Sequence, residues 1–274
     1  MPDDSLLYTV TVGDARIALI RDGELDIAAA ELFNGTAPDA LVNQPPDAGD
    51  GLVTIPLHVA LVQVDDEVVL IDTGLGTIPA AGERGGQIGA ALGALGLTPD
   101  AVTRVIITHM HGDHIGGVFN DAGQLAFPRA RYHLPRADWE WAAGHEKEKY
   151  PRFVRQLASL TDPVLDAPDD RLTPSLRSVD SAGHSPGHRC LLVESSGQGF
   201  CFLGDLTHLP SLHFTEPDRV TAWDSDPTLT PPARRRVAAQ AVAGDWLLAA
   251  PHAGFPALGR LTPAAGAWAW QSVE

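Results

Sequence analysis

Thr108-His109-Met110-His111-Gly112-Asp113-His114 places three histidines and one aspartate between positions 109 and 114. The run before it, Arg104–Thr108, is short and β-branched and reads as a buried strand that delivers the chain directly into His109. Imidazole and carboxylate donors together suit zinc, iron, manganese or cobalt. A helix would scatter these side chains around its circumference, whereas a loop just past a strand end can converge them. Gly112, Gly116 and Gly117 supply the tight backbone that convergence requires. The segment therefore predicts a metal centre at the end of a buried strand.

Further donors stand at similar strand ends. Gly183-His184-Ser185-Pro186-Gly187-His188 precedes a strand over Arg189–Glu194, Asp205 follows the apolar run Phe200–Leu203, and His252 follows Leu247–Ala250. The rest of the chain supplies strands and helices in alternation. Leu7–Val12 and Arg16–Ile20 read as strands around Gly13-Asp14, and Pro56–Val64 and Glu67–Ile71 as a hairpin around Asp65-Asp66. Ala130–Leu134 and Gly199–Leu203 read as strands, and Trp246–Ala250 as a last one. Helices are expected over Gly85–Leu95, from an N-cap at Thr98-Pro99-Asp100, and over Pro135–Gly144, Glu146–Leu160 and Pro231–Ala243. Asn34–Asp50 reads as a long loop. Strands in both halves, each set followed by helices, predict an α/β sandwich. With no short-period repeat or break in composition, residues 1–274 are expected to form one domain.

The chain has 274 residues and a formal charge of −16, which disfavours nucleic acid and anionic membranes as partners. It lacks a cationic leader and a long apolar run, so a soluble, cytoplasmic protein is expected. Cys190 and Cys201 form no CxxC pair and read as two buried free thiols. His58 lies in an apolar strand and reads as a core or pocket-wall residue. Phe33, Trp139, Trp141, Trp223 and Phe255 read as core, with a pocket wall as the alternative, and Arg234-Arg235-Arg236 as the solvated face of a helix.

These motifs, in this order, resemble the metallo-β-lactamase fold superfamily. His109-Met110-His111-Gly112-Asp113-His114 matches its HxHxDH motif, and the agreement continues through Ile71-Asp72-Thr73-Gly74, Gly183–His188, Gly204-Asp205 and His252. Phe127-Pro128, Trp139-Glu140-Trp141, Gly204-Asp205-Leu206-Thr207-His208, Asp224-Ser225-Asp226-Pro227 and the run His252–Gly259 resemble the branch containing methyl parathion hydrolase and related lactonases and esterases. The resemblance implies an αβ/βα sandwich with the metal site at the edge of its two sheets. It also implies two divalent ions, zinc before iron, manganese or cobalt. His109, His111 and His184 would hold the first, Asp113, His114 and His252 the second, and Asp205 would bridge them. Asp72 resembles the family's aspartate behind the ligands, with capping of the Thr73-Gly74 turn as an equal alternative. His188 reads as structural. His208 occupies the offset at which some lactonases of the superfamily carry a catalytic Tyr. Nearby cations would keep its imidazole neutral, which favours an orienting role over a general acid, with a pocket-wall residue as an equal alternative.

Asp113, Asp205 and His208 are thus the expected catalytic residues. The implied reaction is attack by a bridging hydroxide on a small apolar lactone or carboxylic ester, with phosphotriesters as a further substrate class. A small molecule is the expected partner, and a homodimer is left open. Asp205 sits where β-lactamases of the fold carry a thiol or hydroxyl residue, which disfavours that activity. The alternatives are a glyoxalase II-like thioesterase and a persulfide dioxygenase-like oxidoreductase. The first is disfavoured because Arg260 is the sole cation after His252, and the second because it needs only one metal.

Overall fold

The computed structural model describes residues 6–28, 32–33, 52–76, 83–144, 160 and 162–273. The loop expected over residues 34–50, and the helix expected over 146–160 apart from Leu160, lie outside them. Strands β1 (Leu7–Val12), β2 (Ala15–Ala28), β3 (Leu52–Val64) and β4 (Glu67–Ile71) form an antiparallel meander. β5 (Glu83–Arg84) pairs with β2. The sheet continues in parallel from β4 through β6 (Arg104–Ile106) and β7 (Arg131–Pro135) to β8 (Val164–Asp166). A second, six-stranded sheet runs in the order β14-β13-β12-β11-β10-β9. Its members are β9 (Leu176–Asp180), β10 (Arg189–Ser195), β11 (Gln198–Phe202), β12 (Leu247–Ala249), β13 (Leu258–Ala264) and β14 (Ala267–Ser272).

Side-chain alternation along the strands builds four layers. Ile17 and Leu19 of β2 and Ala60 and Val62 of β3 point inward, meeting Leu191, Val193, Phe200 and Phe202 of the second sheet. Ala18, Ile20, Val59 and Leu61, one residue out of phase, face the outer layer of α1 (Ile88–Ala94). Cys190, Leu192, Cys201 and Leu248 face α5 (Thr230–Ala243) on the opposite side. Both faces of these strands are therefore buried, which is why they read as continuous apolar runs. Both cysteines are buried free thiols, as expected. The Asp65-Asp66 turn takes φ of 55° and 59°, the backbone of a two-residue hairpin loop.

Several elements differ from expectation. The Gly85–Leu95 helix begins only at Ile88, because Gly86 takes a left-handed φ of 89°, and the buried Asp22 carboxylate accepts the Gly86 and Gln87 N–H groups ahead of the helix. Thr98-Pro99-Asp100 opens only a 3₁₀ turn, Pro99–Ala101, and the Thr98 side chain makes no capping bond. The strand at Leu247–Ala249 is not the last, since β13 and β14 follow as a hairpin with Leu261 opposite Trp270. Arg234 is not solvated. Residues 230, 233, 234, 237, 238 and 241 form the buried stripe of α5, and Arg234 falls on it. Its guanidinium donates to the carbonyls of Leu206, Pro217 and Arg219. Arg235 and Arg236 do face solvent, paired with Asp218 and Asp180.

Candidate metal centre

Each sequence-predicted donor leaves the carboxyl end of a strand along one edge of the sandwich, where ligand sites of α/β sheets commonly lie. His109 and His111 lie beyond the end of β6, His111 in extended backbone, while Asp113 and His114 ride on α2 (Gly112–Ile115), a single helical turn. The motif is thus part loop and part helix, not a loop throughout. Its close seating against the Thr73–Leu75 turn requires Gly116, where a Cβ would collide with the Leu75 carbonyl. His184 follows β9, Asp205 follows β11, and His252 follows β12.

These seven side chains form two clusters that share one residue. His109, His111, His184 and Asp205 make the first, and Asp113, His114, His252 and Asp205 the second, with donor atoms inside each lying within 4.8 Å of one another. Asp205 Oδ2 faces the first cluster, 3.6 Å from His109 Nε2 and 3.2 Å from His184 Nε2. Its Oδ1 faces the second, 3.1 Å from His114 Nε2 and 3.0 Å from His252 Nε2. The two oxygens of one buried carboxylate therefore look into different clusters.

The outer nitrogens show what the inner ones are free to do. His114 Nδ1 lies 2.7 Å from Asp72 Oδ2, His184 Nδ1 3.3 Å from Asp224 Oδ1, and His252 Nδ1 3.0 Å from the Pro56 carbonyl. An acceptor at each outer nitrogen holds the proton there and leaves the inner nitrogen's lone pair pointing into the cluster. There the lone pairs meet one another, with His109 Nε2 and His184 Nε2 at 3.0 and 2.9 Å from His111 Nδ1. They also meet carboxylate oxygens. Buried His114 Nε2 faces the Asp205 and Asp113 carboxylates, yet among the described residues it forms no well-aligned hydrogen bond. Lone pairs and carboxylates converging in a dry site are stable only around positive charge. The donor set therefore fits two divalent cations.

The electrostatics show the same pull toward positive charge, which a proton on an imidazole also satisfies. Burial opposes charge on His184, but the Asp205 and Asp224 carboxylates raise it to about 9. Asp205, Asp113 and Asp72 raise His114 well above its ordinary range against the same penalty. Asp205 itself is held well below the carboxylate range, despite burial, by the surrounding imidazoles.

The remaining assignments resolve as follows. Asp72 does not cap the Thr73-Gly74 turn. Its carboxylate accepts the Thr108 N–H and hydroxyl and holds His114, so it stands behind the ligands. His188 is fully buried, and burial pushes it down to about 3, so the ring is neutral. Its Nδ1–H faces Ser181, and its Nε2 accepts the Asp205 N–H at 2.9 Å, fixing the backbone of the shared carboxylate. His208 Nε2 lies 3.2 Å from Asp205 Oδ2, and the ring stacks on His252 with centroids 5.0 Å apart. Its pKa is lowered as expected, but the leading cause is burial. His58 is buried and packs on Phe255. Trp223 packs edge-on against His208, whereas Trp139 and Trp141 lie against the core under α1. Sequence reasoning gave Asp224 no role and passed over Asp138. The only signal for Asp224 was its place in the Asp224–Pro227 motif.

An αβ/βα sandwich with a seven-donor His/Asp site at its edge defines a class of metal-dependent proteins. The metallo-beta-lactamase superfamily profile matches residues 56–252, and the chain belongs to that superfamily. The N-acyl homoserine lactonase of Bacillus cereus is 26% identical over 170 residues, covering 56% of this chain and 64% of that protein. The match thus spans somewhat under two thirds of that relative's length. N-acyl homoserine lactonase AiiB of Agrobacterium fabrum is 35% identical over 91 residues, covering 27% of this chain and 33% of that one. Among solved structures, AidC, a dizinc quorum-quenching lactonase, superposes with a TM-score of 0.85 at 20% identity over 99% of each chain. AbOPH, a hydrolase of the same superfamily, gives 0.83 at 23% identity over 98% of each chain. At these identities the structural likeness establishes the fold. Among the described residues, no helix is long and apolar enough to cross a membrane.

Proposed function

We propose that this chain is a dinuclear metal-dependent lactonase acting on lactones with an apolar acyl substituent, with zinc as the resident metal. The observation that carries the proposal is the pair of clusters sharing Asp205, beside a cavity of about 740 Å³ lined by His208 and His252. Leu209, Leu212, Phe255, Trp270 and Val273 give that cavity an apolar wall. Its size lies within the usual range for small-molecule sites.

The chemistry that two divalent ions held here would supply is a water of lowered pKa and polarisation of the substrate carbonyl. The protein's own part is positional. His109, His111 and His184 would hold one ion and Asp113, His114 and His252 the other, and Asp205, which belongs to both clusters, would offset part of their mutual repulsion. His208, buried against His252 and Trp223, lines the cavity with a neutral imidazole that orients the substrate oxygen. The apolar wall excludes water and takes the acyl chain. The names of the sequence relatives support a lactone as the main substrate.

The test is metal analysis of the purified protein together with kcat/KM for N-acyl homoserine lactones of increasing chain length, aryl esters, phosphotriesters and S-lactoylglutathione. Two metals per chain are expected. Each added methylene buried in the cavity should raise kcat/KM by about fourfold, from ~0.8 kcal/mol per CH₂. Turnover of phosphotriesters or S-lactoylglutathione above that of every lactone would overturn the substrate assignment.

A further inference from the structure

The three imidazoles of the first cluster arrive on two separate loops. His109 and His111 come from the loop after β6, and His184 comes from the loop after β9. One buried side chain from a third element binds both loops. Asp138, on α3 (Arg136–Gly144), is 2% exposed. Its Oδ2 accepts the N–H of Met110, the residue between His109 and His111, at 3.0 Å. The same oxygen accepts the hydroxyl of Ser185, next to His184, at 2.8 Å. Its Oδ1 accepts the Gly187 N–H. The seat is tight, since a Cβ on Gly187 would lie 2.7 Å from the Asp138 nitrogen and 3.0 Å from its Oδ1. Arg189 also ties the two segments, but to the Ile107 and Thr108 carbonyls, ahead of the ligands. The second cluster is supported from elsewhere, by Asp72 behind His114 and the Pro56 carbonyl behind His252.

We propose that Asp138 is a positioning residue of the first metal site: where Asp224 aims the His184 ring alone, Asp138 clasps both ligand loops and so sets the distance of His184 from His109 and His111. It therefore governs metal affinity at that cluster and leaves the Asp113–His114–His252 cluster alone. The inference rests on the dinuclear reading above. A carboxylate is required because all three donors converge on acceptor oxygens. An asparagine amide in the same place turns an N–H toward one of them whichever way it is flipped.

The test is a zinc titration of the metal-free protein against a competing chelator. Crystals soaked in limiting zinc then assign each binding step to a cluster by anomalous scattering. Asp138→Asn should weaken the step belonging to His109, His111 and His184 by about 10- to 100-fold, the usual range for residues that orient ligands. The other step should stay within about twofold of wild type on the same basis. Ser185→Ala, which removes one bond of the clasp, should weaken the same step by less. Asp22→Asn is the control. Asp22 is another buried carboxylate accepting backbone N–H groups, those of Leu75, Gly86 and Gln87, but it lies on neither loop of the first cluster. It should lower the thermal midpoint and spare the first cluster. Equal loss at both clusters in Asp138→Asn, or unchanged binding, overturns the inference. If Asp138→Asn does not fold, unchanged zinc binding in Ser185→Ala does so. A wild-type protein that takes up fewer than two zinc ions refutes the dinuclear reading instead.

Discussion

His58 should make this protein acid-sensitive in a window set by its own burial. It sits on β3, 3% exposed, with Nδ1 2.6 Å from the Pro251 carbonyl and Nε2 without a partner among the described residues. The ring donates from Nδ1 and has nowhere to place a second proton. Burial pushes its pKa down to about 4, against 6.5 for a free histidine. A depressed folded value means that the unfolded chain binds the proton more readily. Stability from this residue is therefore complete above about pH 6.5 and is lost as pH falls toward 4, to a total of about 3 kcal/mol. His58→Phe removes the titration and keeps the packing on Phe255. The Pro251 carbonyl still accepts the residue 58 backbone N–H at 3.1 Å, so the substitution should cost only about 1 kcal/mol at pH 7. The two stability curves should cross near pH ~6, and at pH 4.5 the variant should lead by about 1.5 kcal/mol. Urea unfolding of both proteins, metal-free, at pH 7, 5.5 and 4.5 measures this. A difference that does not change with pH would show that protonating His58 costs the folded state nothing, and the argument from its unpartnered nitrogen would fail.

Two further outcomes bear on the site. Asp205→Ala should lose the second metal first and drop kcat by about 10²-fold or more, with the fold retained by circular dichroism; near-wild-type turnover would remove the bridging role. His208→Ala should lower kcat/KM by about ten- to a hundredfold with metal content unchanged, and loss of a metal on elemental analysis would make His208 a ligand.

The donors were legible in the sequence for a physical reason. A metal ligand must leave a rigid element close to its end, so His109, His111, Asp205 and His252 each fall just after an apolar strand and carry a chemically rare side chain there, whereas His184 is marked only by the strand that follows it, since β9 before it carries Arg177, Ser178 and Asp180 and gives no apolar run. The sheets were legible for a related reason, since strands buried on both faces cannot hide among polar residues. Arg234 shows a readable signal that was passed over. Its spacing with 230, 233, 237, 238 and 241 places it on the inner stripe of α5, yet the Arg-Arg-Arg run outweighed the periodicity. The β13–β14 hairpin was missed because nothing beyond His252 was assigned. Its Leu258–Ala264 strand has only three buried residues among seven, so its apolar alternation is weak.

What holds the donors in place is invisible for a different reason. Asp72 is 42 residues from His114, Asp224 is 40 from His184, and the Pro56 carbonyl is 196 from the His252 ring it faces. No local pattern links such partners, and one of them is a backbone atom with no residue identity. Asp138 is harder still to find, because an acid in the first turn of a helix has an ordinary explanation in the helix dipole. Only the folded chain shows that its carboxylate turns away from that role toward Met110, Ser185 and Gly187. The ligands are thus written locally, where strand ends constrain them, while their orientation depends on contacts between distant segments. A substitution at Asp72, Asp138 or Asp224 would leave every ligand motif in the sequence intact, yet it would remove the acceptor that aims one of the imidazoles or the carboxylate that clasps their loops.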